Sequence, residues 1–322
     1  MRTSWKFLAF GAAFALSAFA PAQAQVYPTK PIHFIIPFAP GGPADIIARL
    51  TGQQLTELLG QPVIVESRAG AGGNIGAAVV AKSAPDGYTA LVTTSAFAVN
   101  VSLSPNSGYD AERDFIPVAV VAKQANLIFV HPDLPVKTLA ELLALAKTRK
   151  LAFASPGSGT TPHLTAENLF NLISKLDMPA IHFRGAGPSA AAVVAGEPPV
   201  GAGAIATPLP YVKSGRLRAL AVSSAARVAS LPDVPTLAEA GFPGVQDDTW
   251  IGIFLPAGTP PAIVQKLNQS VNQALQNPDM RERLASLAFE PVGGSPQHFA
   301  GYLKAEIAKW GKVVREGDIK AE

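Results

Sequence analysis

Three times in this chain an apolar strand runs into a glycine loop and then into a helix with a proline near its start, and that repeated unit restricts the fold more than any other feature. The first and fullest copy is PIHFIIPFAPGGPADIIARL, from Pro31 to Leu50. Ile32, Phe34, Ile35, Ile36 and Phe38 form a nearly continuous apolar run, suited to a strand buried on both faces. Ala39-Pro40-Gly41-Gly42 stops it. Pro43 fits the first helical turn, where its missing N–H costs nothing, and Asp45 puts a carboxylate near the positive end of the helix. Ile46, Ile47, Leu50, Leu55, Leu58 and Leu59 then continue at helical spacing. A helix start without a capping side chain leaves backbone N–H groups facing the loop, and an anion is their natural guest.

The second copy runs from Leu151 to Ala154 through Ser155-Pro156-Gly157-Ser158-Gly159-Thr160-Thr161 into a helix opened by Pro162, with Thr161 available as N-cap. The third has Ala180 to Phe183 as strand, Arg184-Gly185-Ala186-Gly187 as loop, and Pro188 at the next helix. Strands alternating with helices predict an α/β fold with largely parallel sheets. Near the middle the alternation breaks. Ile116 to Ala122 and Leu127 to Val130 read as two strand-like runs separated by Lys123-Gln124-Ala125-Asn126, with no crossover helix, so the chain is expected to pass there from one lobe to another. Asp248 to Leu255 reads as the strand that returns it. The expected division is 25–123 with 248–322 as the first lobe and 124–247 as the second.

Other segments fill in the lobes. Pro62 to Glu66 and Tyr88 to Thr94 read as strands, Ile75 to Lys82 as a small-residue helix, and Ser95-Ala96-Phe97-Ala98 as a loop. Thr138-x-x-Glu141 is a capping box before a helix. Val200 to Ile205 and Leu217 to Val222 complete the second lobe's sheet around a short helix from Pro208 to Lys213. Helices after Pro260-Pro261, through Met280 to Leu287, and from Ser295-Pro296 onward carry apolar stripes and read as packing elements.

Arg2 and Lys6, an apolar run from Phe7 to Ala20 and the Ala22-Gln23-Ala24 motif form a secretory signal, with cleavage expected after Ala24. The apolar run falls short of the roughly 20 residues that cross a bilayer. The chain has no cysteine, which removes disulfides and a lipidated cysteine from consideration. Removing Arg2 and Lys6 with the signal leaves 24 basic and 23 acidic residues, with no basic stripe, so nucleic acid is not an expected partner.

Enzyme chemistry finds little support. Gly70-Ala71-Gly72-Gly73 resembles a dinucleotide loop, but the third glycine of that pattern would fall on Ile75. His33, His131, His163, His182 and His298 form no pair at metal spacing, so no metal and no cofactor are expected. Ser155 and Ser158 lie outside a G-x-S-x-G elbow. A hydrolase built on either serine with His163 would lack an evident orienting acid. What remains is a donor-rich cleft: N–H groups at Gly41 and Gly42, hydroxyls at Ser95, Thr160 and Thr161, and Arg184 as a fixed cation. Helix termini contribute about 0.3–1 kcal/mol each toward an anion and charge-assisted hydrogen bonds about 1.5–3 kcal/mol, so three or four together reach a micromolar site.

Several long motifs in order carry a resemblance over the mature chain: PFAPGGPADIIARL, LGQPVIVESRAGAGGNIGA, APDGYTALVTTS, SPGSGTTPHL, FRGAGPS, VKSGRLRALAVSSAARVASLPDVPTLAEAGFPG and WIGIFLPAGTP. The sequence resembles the tripartite tricarboxylate transporter substrate-binding proteins, the TctC or Bug family. The resemblance implies a type II periplasmic binding fold, two α/β lobes joined by two crossing strands, closing on a small organic carboxylate. It implies a monomeric periplasmic receptor, without catalytic residues, that hands its ligand to membrane permease subunits; a sensing role beside a sensor kinase is the alternative. The candidate ligand-binding residues are Phe38, Ala39, Gly41, Gly42, Ala44, Asp45, Ser95, Ala96, Ser158, Thr160, Thr161, His163, Arg184, Gly185 and Thr207. Two departures stand out. Many relatives have Ser or Thr near Ala44. Where they commonly read GGQVDLMFD, this chain has Gly196-Glu197-Pro198-Pro199-Val200-Gly201-Ala202-Gly203, so no ligand-contacting acid is carried over there.

Overall fold

The computed structural model describes residues 27–316 and 319–320. The signal segment and its cleavage site after Ala24 lie outside the described residues. In the first lobe β1 (Ile32–Ile36) leads into α1 (Pro43–Leu59), followed by β2 (Val63–Ser67), a 3-10 turn at Ala71–Gly73, α2 (Asn74–Ala81), β3 (Thr89–Thr94) and α3 (Ala96–Leu103). The strand β4 (Phe115–Val130) then enters the second lobe, which holds α4 (Leu139–Ala146), β5 (Phe153–Ser155), α5 (Thr161–Glu167), β6 (Ala180–His182), α6 (Ala186–Val194), β7 (Val200–Ala204), α7 (Leu209–Lys213) and β8 (Arg218–Val222). The chain returns along β9 (Asp248–Pro256) and ends with α8 (Pro261–Ala274), α9 (Pro278–Ser286), β10 (Glu290–Gly293) and α10 (Pro296–Glu316).

The strand order is β2-β1-β3-β9-β4-β7-β5-β6, with β8 and β10 pairing β4 off this path. Parallel β2, β1 and β3 meet antiparallel β9, which pairs β4 from Phe115 to Ala125. Beyond that point β4 pairs β7 and β8 from Asn126 to Val130. One strand is therefore shared by two sheets. The two apolar runs expected around Lys123–Asn126 are a single continuous strand, because the polar interval stays extended. Lys123 reaches Asp248 at 3.3 Å and Glu290 at 3.4 Å, while buried Gln124 accepts the Ala206 N–H at 2.7 Å. Strand β10, which the sequence pattern does not announce, forms beside this crossing.

Each sheet is covered on both faces. Period-2 alternation in β9 sends Ile251, Ile253 and Leu255 toward α1, α8 and α9, and Trp250 and Phe254 toward α2, α3 and α10. In the second lobe Ile128 and Val130 pack with α4 and α5, while Leu127 and Phe129 pack with α6 and α7. The segment expected as a loop at Ser95–Ala98 instead turns at Ser95 into α3. Ala96, Phe97, Ala98 and Val99 are all buried, so the helix has no polar face to display a 3.6-residue period. Among the described residues no helix is long and apolar enough to cross a membrane.

Candidate functional site

The loop between β1 and α1 meets the second lobe backbone to backbone. Gly42 is the extended N-cap of α1 with no side-chain cap, and Pro43 occupies the first turn. Ala39 N–H donates to the Arg184 carbonyl at 2.9 Å, and the Thr207 hydroxyl donates to the Gly41 carbonyl at 3.2 Å. A Cβ placed on Gly185 would lie 3.1 Å from Ala39 N, and one on Gly187 would lie 2.7 Å from the Pro40 carbonyl oxygen. Only glycine permits that approach. A second contact joins the loop before α2 to the loop before α5. A Cβ on Gly72 would lie 2.6 Å from Ser158 O, and Asn100 of α3 sits beside both loops, its Nδ2 donating to Gly72 O at 2.9 Å and its Oδ1 lying 2.5 Å from where a Cβ on Gly159 would be.

Two pockets lie between these contacts and share Phe38 and Pro156. One, of about 210 Å³, is lined by the Gly70–Gly73 loop, Gly157, Ser158, His182, Phe183 and Arg184. The other, of about 30 Å³, is lined by Gly42, Pro43, Ala44, Asp45, Thr94, Thr160, Pro162, Ala186, Ala204 and Thr249. Phe38, Gly42, Ala44, Asp45, Ser158, Thr160 and Arg184 thus line the cleft. Ala39, Gly41, Gly185 and Thr207 form the contact between lobes that bounds it. Thr94, Pro156, Pro162, Ala186, Ala204 and Thr249 are lining residues that sequence reasoning did not single out. Pro162 and Ala186 lie inside the motifs quoted above, while Thr249 and Ala204 sit on strands whose lining role only the tertiary fold reveals.

Several expected donors are already engaged. Gly41, held at a φ of 85°, gives its N–H to Asp45 Oδ2 at 3.0 Å, and Arg49 Nε donates to Asp45 Oδ1 at 2.9 Å. The carboxylate at the head of α1 is the protein's own. Thr160 donates to Gly157 O at 2.9 Å. Ser95 and Thr161 are 3.0 Å apart, and Thr161 and Thr249 2.6 Å. Thr249 donates to Asn126 Oδ1 at 2.7 Å, which spends its hydrogen; Thr161 must then donate to Thr249, and Ser95 to Thr161. The amide of Asn126 continues the chain to Asp247 Oδ1 at 2.5 Å and to Thr165 Oγ1 at 3.1 Å.

Ala96 and His163 lie behind the lining. His163 is buried, stacks near Phe153, meets His182 edge-on at 4.7 Å, and accepts the Gly159 N–H on Nδ1 at 3.3 Å. Burial, and secondarily His182, push its pKa down to about 3, so it is a neutral support for the loop. Ser155 is fully buried and 3.2 Å from His182 Nδ1, whereas the sequence pairing of interest was with His163. Among the described residues no group of three His, Asp or Glu could hold a metal ion.

Comparison with known proteins fits this geometry. The family described as tripartite tricarboxylate transporter family receptor matches residues 47–319. The chain belongs to that family. It is 38% identical over 305 residues to Protein BugT of Bordetella pertussis, covering 94% of this chain and 93% of BugT. Among solved structures it is similar to R. palustris Rpa4515 with adipate, at 34% identity and a TM-score of 0.88 over 91% of this chain and 99% of the other. MatC from Rhodopseudomonas palustris, with bound malate, is 35% identical with a TM-score of 0.85 over 89% of this chain and 100% of the other. As a receptor of this family the chain has a periplasmic binding fold, and its two sheets sharing β4 are the frame of that fold.

Proposed function

We propose that this receptor captures a small organic carboxylate between its lobes in the periplasm and delivers it to membrane permease subunits. The lobes are residues 25–123 with 248–322 and residues 124–247, the chain works as a monomer, and its leader is removed after Ala24. The observation that carries this reading is the convergence of the loops before α1, α2, α5 and α6 on one cleft, in a family whose relatives have been solved with adipate and malate. At Gly185 and Gly187 backbone approaches backbone closely, while the Thr207 hydroxyl and the Asn100 amide bridge beside these contacts. The cleft can then exclude water from a bound acid, and its few polar contacts gain strength as water leaves. Phe38, Gly42, Ala44, Ser158, Thr160 and Arg184 are proposed to face the ligand, whereas Ser95, Thr161 and His163 hold the loops in place.

A thermal-shift screen of the mature protein, freed of carried-over ligand, against mono-, di- and tricarboxylates tests this. An acid at 100 times its Kd should stabilise the protein by about 2.7 kcal/mol. A saturable shift with one class of acid supports the reading. No shift with any acid would overturn it.

A further inference from the structure

The carboxylate-receptor reading, on which this inference rests, leaves one buried carboxyl group without a role. Asp247 sits where the two crossing strands part: β4 pairs β9 as far as Ala125 opposite Asp248, and from Asn126 onward it pairs β7 and β8. Backbone groups at such a fork lose their ladder partners, and Ser223, just past the end of β8, supplies new ones. Its hydroxyl accepts the Asn126 N–H at 2.8 Å and donates to the Asp247 carbonyl at 2.7 Å, and its own N–H donates to the Asn126 carbonyl at 2.9 Å. Side chains fill the rest of the gap. Asn126 Nδ2 donates to Asp247 Oδ1, and the Thr165 hydroxyl oxygen lies 2.8 Å from Asp247 Oδ2 and 2.8 Å from the Thr161 carbonyl oxygen. Asp247, Asn126, Thr165 and Ser223 are all buried, and none of them lines either pocket.

We propose that Asp247 is a positioning residue for ligand capture. A carboxylate oxygen accepts and cannot donate, so it turns the Asn126 amide nitrogen toward itself and leaves Asn126 Oδ1 to receive the Thr249 hydroxyl. The order so fixed passes on through Thr161 to Ser95. Each hydroxyl in that chain is tied to the wall of the small pocket: Thr249 lines it, Thr160 lines it beside Thr161, and Thr94 lines it beside Ser95. One carboxyl group behind the wall therefore holds three wall segments, drawn from both lobes, at one spacing. Without it Asn126 can turn its amide over and present Nδ2 to Thr249, and the order of the hydroxyls is no longer specified. Ordering of the wall must then accompany binding, which weakens it.

Calorimetric titration of the mature protein at neutral pH, with an acid that binds the parent, tests this in Asp247→Leu and Asp247→Asn. Leucine has the same branching and no acceptor, whereas asparagine keeps an amide oxygen that can receive Asn126 Nδ2. The expected result is at least tenfold weaker binding in Asp247→Leu and binding within threefold of the parent in Asp247→Asn, each read at a temperature where the free variant is shown to be folded. Parent-like affinity in Asp247→Leu, or an equal loss in both variants, would overturn the inference and leave the carboxylate receptor standing. Should Asp247→Leu fail to fold, Thr165→Val and Thr165→Ser make the same comparison, since valine keeps the shape and serine keeps the hydroxyl that meets Asp247 and Asn126. Binding at least threefold weaker in the valine variant alone is then expected, and equal affinities in the two would overturn the inference. Failure of the parent to bind any mono-, di- or tricarboxylate would remove the receptor reading and this inference with it.

Discussion

At Gly187 a single missing methyl group permits closure. A Cβ there would lie 2.7 Å from the Pro40 carbonyl oxygen across the cleft. The residue lies in the first turn of α6, where alanine suits the helix better than glycine by up to about 1 kcal/mol. Gly187→Ala sets that helix gain against a backbone clash across the cleft, so it should weaken ligand binding about tenfold or more, as read by calorimetry, and should not raise the unfolding temperature of the same samples. Two buried titrating groups make a second prediction. Below about pH 6.5 the unfolded chain protonates His163, whereas the native chain, with a pKa pushed down to about 3, does not; stability therefore falls as the pH drops. Asp247 acts oppositely. Burial, only partly offset by donors from Thr165 and Asn126, pushes its pKa up to about 6, so between about pH 4 and 6 the native chain holds a proton that the unfolded chain has released. The two slopes nearly cancel. In urea unfolding at pH 4, 5 and 6, Asp247→Asn should steepen the loss of stability toward acid by up to about 1.4 kcal/mol per pH unit relative to the parent, and parallel curves would contradict this.

The shared strand β4 and its partner β9 carry the polar chain that fixes the head of α5. Asn126 on β4 and Thr249 on β9 bond each other, Thr249 receives Thr161, and Thr161 receives Ser95 from the turn before α3. Thr249→Val keeps the shape but leaves Asn126 Oδ1 and the Thr161 hydroxyl without their partner. A loss of about 1–3 kcal/mol in urea unfolding is expected. None of these hydrogen bonds was legible in the sequence. Asn126, Thr161, Thr165, Asp247 and Thr249 are distant in the chain, and each alone reads as an ordinary polar residue. The start of α1 was legible because Gly42, Pro43 and Asp45 act locally. Helix α3 was missed because AFAVNVSL is buried nearly all round and shows no stripe. What local pattern could not supply was the engagement of Asp45, which gives the Gly41 donor to the protein's own carboxylate.

The lobes meet through glycine contacts on either side of a cleft, with β4 and β9 as the crossing strands. The strand-loop-helix recurrence revealed two facing sets of helix starts, since each copy carries its own turn residues. How closely they approach, and which hydroxyls that approach consumes, depends on tertiary packing and could be read only from the structure. Gly42 tests the assembly most directly. Its backbone is extended, with φ −91° and ψ 175°, and a Cβ would sit an ordinary 3.6 Å from Ala186 Cβ, so a larger side chain strains no backbone but adds bulk inside the small pocket. The decisive measurement is calorimetric titration of Gly42→Val beside the parent with an acid that binds the parent. One-to-one binding by the parent, at least tenfold weaker in a variant whose unfolding free energy lies within about 1 kcal/mol, is the predicted result. Equal affinity in the two proteins would place the acid outside the cleft and contradict its capture between the lobes.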